Sequence, residues 1–219
     1  MSAWNSEKKV VLEAAKLMAE KGLVVGTSGN ISMRFREQGG RDLVAITPNN
    51  LFYDVMGIDD IGIVDLEGER VEGELTTSIE TMLHIGIYKA RAKVNAVIHT
   101  HPIFSSIFSV TGMNIPPVLD DQVTYLGGEI EVAEYSLPGS QDLVRNVIPA
   151  LGPRNAVILA NHGALTVGRD MREAFTNCEM LEKTARIYFS ALNLGKINTL
   201  PAIALEMEQA YFNYLHGES

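Results

Sequence analysis

Apolar and polar residues along the chain change spacing several times, and each change predicts an element. From Glu7 to Lys21 apolar residues recur at helical spacing, and Gly22 then ends the predicted helix. Ile31 to Arg36 alternates as a half-buried strand does, and Leu43 to Ile46 is predicted to be its partner. The early pattern therefore predicts one helix followed by antiparallel strands.

Later elements alternate between strands and helices. Two short strands, Gly62–Leu66 and Arg70–Val71, are predicted to form a hairpin around Glu67-Gly68. The remaining predicted strands are Ala96–Ile98, Ile130–Tyr135 and Ala156–Ala160. The remaining predicted helices are Ser78 to about Arg91, Ile103–Val110, Ser140–Ala150, Met171–Leu194 and Leu205–Leu215. Hairpins followed by interleaved helices predict a central, largely antiparallel or mixed sheet flanked by helices, in one α/β domain over residues 1–219.

Composition narrows the classes of function. A chain of 219 residues with 46% hydrophobic content is long enough for one sizeable core. Its 18 basic and 27 acidic residues give a net charge of −9, so neither nucleic acid nor an anionic membrane is an expected partner. We find no apolar run long enough to cross a bilayer and no apolar signal core, and we expect a cytoplasmic protein.

With Cys178 as the single cysteine, any metal site depends on His, Asp or Glu. No glycine-rich nucleotide loop is present, which disfavours a doubly wound nucleotide fold.

Histidines follow two predicted buried strands. Residues two apart on a strand share a face, so His99 and His101 can reach one ion at the end of the first strand. His162 follows the second strand in an Asn-His-Gly turn. Three neutral imidazoles suit zinc and leave a position for a substrate oxygen. The alternative is a set of hydrogen-bonded or solvent-facing histidines without a metal. A fourth histidine, His84, is expected to pack in the core or to form a hydrogen bond that supports the site without binding the ion.

Other candidate residues have a structural alternative as well. Glu80 ends a Thr77-x-x-Glu80 capping box at a predicted helix start, yet near a metal it suits proton transfer. The glycine-rich turn that ends in Gly29 and Asn30 is either an ordinary tight turn or a nest of amides for phosphate. Further uncharged anion donors lie near Pro48 and at the predicted helix start, namely Thr47, Asn49, Asn50 and Ser78.

Five motifs in this order resemble the class II aldolase/adducin family, over about Glu7 to Leu194. The motifs are Gly26-Thr-Ser-Gly-Asn30, Thr47-Pro48, Ser78-x-Glu80, His99-x-His101 and Asn161-His-Gly163. The resemblance implies a three-layer α/β/α fold, a homotetramer, and a Zn²⁺ ion (alternatively Mn²⁺ or Co²⁺) on His99, His101 and His162. It implies Glu80 as the acid/base that also approaches the resting metal. It places the substrate phosphate on Gly29, Asn30, Asn49, Asn50 and Ser78.

The implied reaction is cleavage of a ketose 1-phosphate into dihydroxyacetone phosphate and an aldehyde. Apolar Ile79, Leu119 and Val123 favour a 5-deoxy or 5-methylthio ketose, with L-fuculose 1-phosphate as a further substrate. The same scaffold also serves pentose-phosphate 4-epimerases and methylthioribulose-1-phosphate dehydratases, and a non-catalytic adducin-like module is the remaining alternative. Two departures weaken the phosphate motifs, Asn49-Asn50 in place of Ser/Thr-Gly and Ile79 in place of a second serine. Candidates for the proton donor, each with packing or exposure as its alternative, are Asp121, Tyr125, Tyr211 and Tyr214.

Overall fold

The structure of the chain is a computed structural model that describes residues 3–217. Its centre is an eight-stranded sheet in the order β4-β3-β2-β1-β5-β8-β7-β6. Every neighbouring pair is antiparallel except β6 and β7. The strands are β1 Asn30–Arg36, β2 Asp42–Ile46, β3 Gly62–Asp65, β4 Arg70–Glu72, β5 Ala96–Thr100, β6 Val132–Ala133, β7 Ala156–Leu159 and β8 Gly163–Gly168.

Helices cover both faces of the sheet. They are α1 Asn5–Glu20, α2 Thr81–Ala90, α3 Ile103–Thr111, α4 Asp120–Leu126, α5 Gln141–Leu151, α6 Met171–Leu194 and α7 Ala202–His216. A short 3-10 helix, Ile58–Asp60, precedes β3. Alternate strand residues divide between two cores: Ala96 and Ile98 pack in the core with α1 and α6, and Val97 packs in the core with α2 and α5. The predicted three-layer arrangement with a mainly antiparallel sheet is confirmed.

The directions of the central strands bring the C-terminal ends of β5 and β7 to the same edge of the sheet. Strand β8 pairs antiparallel with both β5 and β7, so the last residues of β5 and β7 lie at the same edge. Strand β1 is antiparallel to β5, which places its first residue, Asn30, opposite His99. The sheet therefore gathers Asn30, His99 and the β7–β8 turn at that edge.

Several predicted boundaries are wrong. The helix expected from Ser78 begins at Thr81, with Glu80 at the N-cap position and no side-chain cap bond, so the capping box does not form. Only Val132–Ala133 of the expected Ile130–Tyr135 strand is a strand, because Ile130 instead forms an isolated bridge with Ile115, on the other side of α4 in sequence. Asp120–Leu126 is a helix and Gly163–Gly168 a strand, and neither had been assigned an element.

Among the described residues, no helix has the length and apolar character needed to cross a membrane.

Candidate active site and metal centre

Three histidines converge at the sheet edge. His99 is in β5, His101 lies one residue beyond that strand, and His162 lies in the turn between β7 and β8. One ring nitrogen from each falls in a group whose atoms all lie within 4.8 Å of one another. The ring centroids are 4.7 to 5.0 Å apart. The structure brings together all three residues that the sequence nominated as ligands.

Hydrogen bonding and burial prepare these imidazoles to act as ligands. His99 is buried and its Nδ1 lies 2.9 Å from the Ala164 carbonyl oxygen, so Nδ1–H donates there and Nε2 keeps its lone pair. That Nε2 lies 2.8 Å from Nε2 of His101. Burial, reinforced by the neighbouring histidines, lowers the pKa of His101 to about 3. Burial and His99 lower the pKa of His162 to about 4, although Glu80 opposes this shift.

Glu80 completes the cluster. Its Oε2 accepts a hydrogen bond from Asn30 Nδ2 at 2.9 Å and lies 3.2 Å from His99 Nε2. Its Oε1 lies 3.6 Å from His162 Nε2 and is buried without a hydrogen-bond partner. Burial raises the pKa of Glu80, but His99, the Asn30 amide and His162 outweigh that effect and the net pKa lies below its usual value. The carboxylate faces the histidines rather than the amides of its own helix.

The residues fit a divalent cation. Three neutral nitrogens and a buried carboxylate oxygen without a hydrogen donor form a donor set that zinc, manganese or cobalt accepts. Glycine at 163 makes the approach possible, because a Cβ there would lie 2.4 Å from the Thr100 carbonyl oxygen and 2.8 Å from His101 Cδ2. Glycine at this position therefore allows the start of β8 to pack closely against the His99-Thr100-His101 segment.

A cavity of about 160 Å³ opens onto the histidines and Glu80. All five residues nominated for phosphate line it: Gly29, Asn30, Asn49, Asn50 and Ser78. Asn30 is engaged with Glu80, so its amide acts on the carboxylate as well as facing the cavity. Thr27 Oγ1 donates to Asn50 Oδ1 at 3.0 Å, which leaves the Asn50 NH₂ group to donate elsewhere. Ser78 Oγ accepts a hydrogen bond from the Glu80 amide, so the Ser78 hydroxyl proton is available to donate to a ligand.

The glycine turn is held by residues that the sequence did not nominate. Gly29 has φ +77°, and a Cβ there would meet Val24 and the His99 carbonyl oxygen at 2.6 and 2.7 Å. Tyr53 OH lies 2.9 and 2.8 Å from the carbonyl oxygens of Ser28 and Gly29. The Ser28 hydroxyl donates back to Val25, which commits it to the turn. A tyrosine five residues after the Thr47-Pro48 pair gave no recognisable signal in the sequence.

The candidate proton donors lie elsewhere in the protomer. Asp121 forms an ion pair with Lys183, and Tyr125 and Tyr211 line a separate surface cleft between α4, α6 and α7. Tyr214 is exposed on α7. None of the four is among the described residues that line the histidine cavity. Of the three apolar residues nominated for substrate preference, Ile79 lines the cavity, whereas Val123 is buried in α4.

His84 lies on α2 one turn after Glu80. It is fully buried, with its Nδ1 at 2.7 Å from Ser32 Oγ, and that hydroxyl lies 2.6 Å from Tyr88 OH. Burial lowers the pKa of His84 to about 3, so the ring is neutral. The expected packing and hydrogen-bonding role agrees with these contacts.

The fold and the site define a domain of the class II aldolase type. Residues 9–189 match the family model described as the class II aldolase and adducin N-terminal domain, and the chain belongs to this family. A 5-deoxy-D-ribulose 1-phosphate aldolase of Bacillus thuringiensis serovar kurstaki is 34% identical over 202 residues, which cover 92% of this chain and 93% of that enzyme.

Two further comparisons agree. A 5-methylthioribulose-1-phosphate/5-deoxyribulose-1-phosphate aldolase of Rhodospirillum rubrum is 32% identical over 197 residues, 90% of this chain and 86% of that enzyme. The solved structure of an L-fuculose 1-phosphate aldolase superposes with a TM-score of 0.89 at 30% identity, covering 97% of this chain and 98% of the other. The resemblance inferred from five motifs is confirmed at the level of family and fold.

Proposed function

We propose that the protein is a metal-dependent sugar-phosphate aldolase that cleaves a ketose 1-phosphate, with a 5-deoxy or 5-methylthio ketose as the preferred substrate and L-fuculose 1-phosphate as a further one. The observation that carries the proposal is a single cavity lined by a histidine cluster, a buried carboxylate and uncharged anion donors. Relatives named as aldolases of these sugars support the substrate class.

His99, His101 and His162 would hold the cation, and zinc fits their nitrogens best. When bound, a divalent cation supplies Lewis-acid stabilisation of the negative charge that develops on the substrate oxygens. Asn30 holds Glu80 by its Oε2, so Oε1 is available to exchange a proton with the carbon of the dihydroxyacetone phosphate half. The Asn49-Asn50 turn, Ser78 and the Gly29 backbone donate to the phosphate.

Ile79 gives this pocket an apolar wall. Its side chain is 56% exposed and lines the cavity beside Glu80. A methyl or methylthio end of the departing aldehyde loses no hydrogen bond against such a wall, whereas a hydroxyl would. This contact favours deoxy and methylthio ketoses.

The test is an assay with defined substrates. Purified protein with zinc should release dihydroxyacetone phosphate from 5-deoxyribulose 1-phosphate, and more slowly from L-fuculose 1-phosphate. NMR of the products distinguishes cleavage from epimerisation or dehydration, because both alternatives keep all carbons in one molecule. Absence of dihydroxyacetone phosphate across a panel of ketose 1-phosphates would rule the aldolase out.

Asp121, Tyr125, Tyr211 and Tyr214 stay as predictions for the proton donor. They lie outside the cavity of their own protomer, so a donor among them would act in the site of a neighbouring subunit of the proposed cytoplasmic homotetramer. Mixing inactive Glu80→Gln subunits with subunits of each donor variant tests this. Activity regained on mixing identifies the donor, and none regained with any variant rules all four out.

A further inference from the structure

Helix α3 connects the two turns that carry His101 and His162. It begins at Ile103, two residues after His101, and its last turn contacts the β7–β8 turn that contains His162. Strand β8 also touches both ligand-bearing segments, since it pairs with β5 and directly follows the His162 turn. The separation of these two imidazoles therefore depends on how α3 is fixed at each end as well as on β8.

Ser109 is the α3 residue to which the amides of the His162 turn donate hydrogen bonds. The Asn161 amide donates to the Ser109 carbonyl oxygen at 3.0 Å, and the His162 amide donates to Ser109 Oγ at 2.9 Å. The Ser109 hydroxyl in turn donates to the Leu159 carbonyl oxygen at 2.7 Å. One buried serine thus bonds the residues before, within and at the end of this turn.

The turn needs such support. Asn161 has φ +53°, in the left-handed region that non-glycine residues adopt only at single positions with local support, asparagine more readily than most. On the other side of His162, Gly163 packs closely against His101, so the backbone has little room to shift there. Without the Ser109 hydroxyl, the His162 amide keeps only its bond of 3.1 Å to Leu159 within the turn.

Glu182 of α6 fixes the opposite end of α3. Pro102 occupies the N-cap position of α3 and has no side-chain acceptor. Instead, Glu182 accepts the Phe104 amide at 2.8 Å and both the amide and the hydroxyl of Ser105 at 2.9 Å. A carboxylate at a helix N-terminus forms charge-assisted bonds to otherwise unpaired amides.

We propose that Ser109 is a positioning residue for His162, and that Glu182 is the corresponding positioning residue for the His101 end of α3. Neither side chain touches the cavity; together they set the distance between two nitrogens that must meet one ion. The inference rests on the proposed metal site. It goes beyond the ligands by assigning part of the affinity of that site to a helix which supplies none of them.

Ser109→Ala tests the first half, with Thr166→Val as the matched control. Thr166 is buried on β8 and its hydroxyl donates to the Ala174 carbonyl oxygen, so the control also removes a buried, hydrogen-bonded hydroxyl group, but one that lies in neither ligand turn. Zinc affinity is measured by competition with a chromophoric chelator, and coordination geometry by the visible spectrum of the Co²⁺-loaded protein. Ser109→Ala should bind zinc about 10–100-fold more weakly with an altered Co²⁺ spectrum, whereas Thr166→Val should match the wild type.

Glu182→Gln tests the second half and covers the case in which Ser109→Ala does not fold. Its control is Glu179→Gln, one turn earlier on α6, where the carboxylate forms a half-exposed ion pair with Lys21. Glu182→Gln should weaken zinc binding and Glu179→Gln should not.

The outcomes separate the two proposals. A wild-type protein that binds no metal refutes the metal centre itself. A wild type that binds zinc tightly, with Ser109→Ala and Glu182→Gln unchanged in affinity and Co²⁺ spectrum, refutes the role of α3 and leaves the proposed function standing.

Discussion

At the scale of single residues, Glu80 is a buried carboxylate with only one of its oxygens hydrogen-bonded. The bonded oxygen accepts from Asn30, and the other is left without a hydrogen donor. We predict that Glu80→Gln retains zinc, since the three histidines remain, but lowers kcat about 100-fold or more because general acid–base transfer is lost. Metal analysis and steady-state kinetics check this, with exposed Glu74→Gln as control. A near-normal kcat would remove Glu80 from proton transfer.

Asn30 and Asn50 line the same cavity but should differ in their kinetic effects. Asn30→Ala removes the amide that holds Glu80, so we expect a lower kcat together with a higher KM. Asn50→Gly removes an amide while its φ of +55° stays accessible, so we expect KM to rise roughly tenfold with kcat nearly kept. Kinetics with a phosphorylated ketose measure the difference. Equal effects on kcat in both variants would contradict it.

At the scale of elements, the histidine-bearing strand ends could be predicted because apolar runs closing on histidine and proline are local signals. Strand β8 could not be, since it begins and ends in glycine and is stabilised in part by pairing with β5, which is distant in sequence. The start of α2 was wrong for a related reason. The Glu80 carboxylate contacts His99 and Asn30 instead of the amides of its own helix. Both partners are distant in sequence, so no local pattern predicts them.

Glu173 joins two helices, and its charge should make the joint sensitive to acid. Burial raises its pKa, but bonds from His216 of α7 and from Arg169 outweigh this and bring the pKa down from 4.5 to about 2. A depressed pKa stabilises the folded state above pH 4.5, and that contribution is lost as the pH falls towards 2. We predict that Glu173→Gln lowers the free energy of unfolding by roughly 1–2 kcal/mol at pH 7.

Urea unfolding at a series of pH values checks this prediction. The difference between wild type and Glu173→Gln should shrink steadily below pH 4.5. The control is Glu179→Gln, whose ion pair with Lys21 is half exposed. A difference that stays constant down to pH 2.5 would contradict the assigned charge interaction.

At the scale of the whole molecule, a metal bound at the sheet edge would link the end of β5 to the turn between β7 and β8 and so contribute to global stability. An ion held only by the folded chain stabilises it by about 4 kcal/mol at a thousandfold excess over Kd. We predict that a chelator lowers the Tm of the wild type by several degrees.

His162→Ala is the matched variant for that measurement. It should begin with a lower Tm and little bound metal, and it should respond little to the chelator. Full metal occupancy in His162→Ala, or a wild-type Tm that ignores chelation, would contradict the assignment of His162 as a ligand. Calorimetry at a fixed protein concentration keeps any effect of assembly constant between samples.

Ile79 and Pro138 form a rim of the cavity, and Gly139 lets their two loops meet: a Cβ at that glycine would lie 3.0 Å from the Ile79 carbonyl oxygen. The loop from β6 to α5 contains Pro138 and no histidine. The Pro138 side of this rim therefore lies in a stretch of sequence that carries none of the proposed metal ligands, whereas Ile79 lies next to Glu80. For synthesis in the carbon–carbon bond-forming direction, a library confined to Ile79 and Pro138 would explore new acceptor aldehydes while the three histidines stay unchanged.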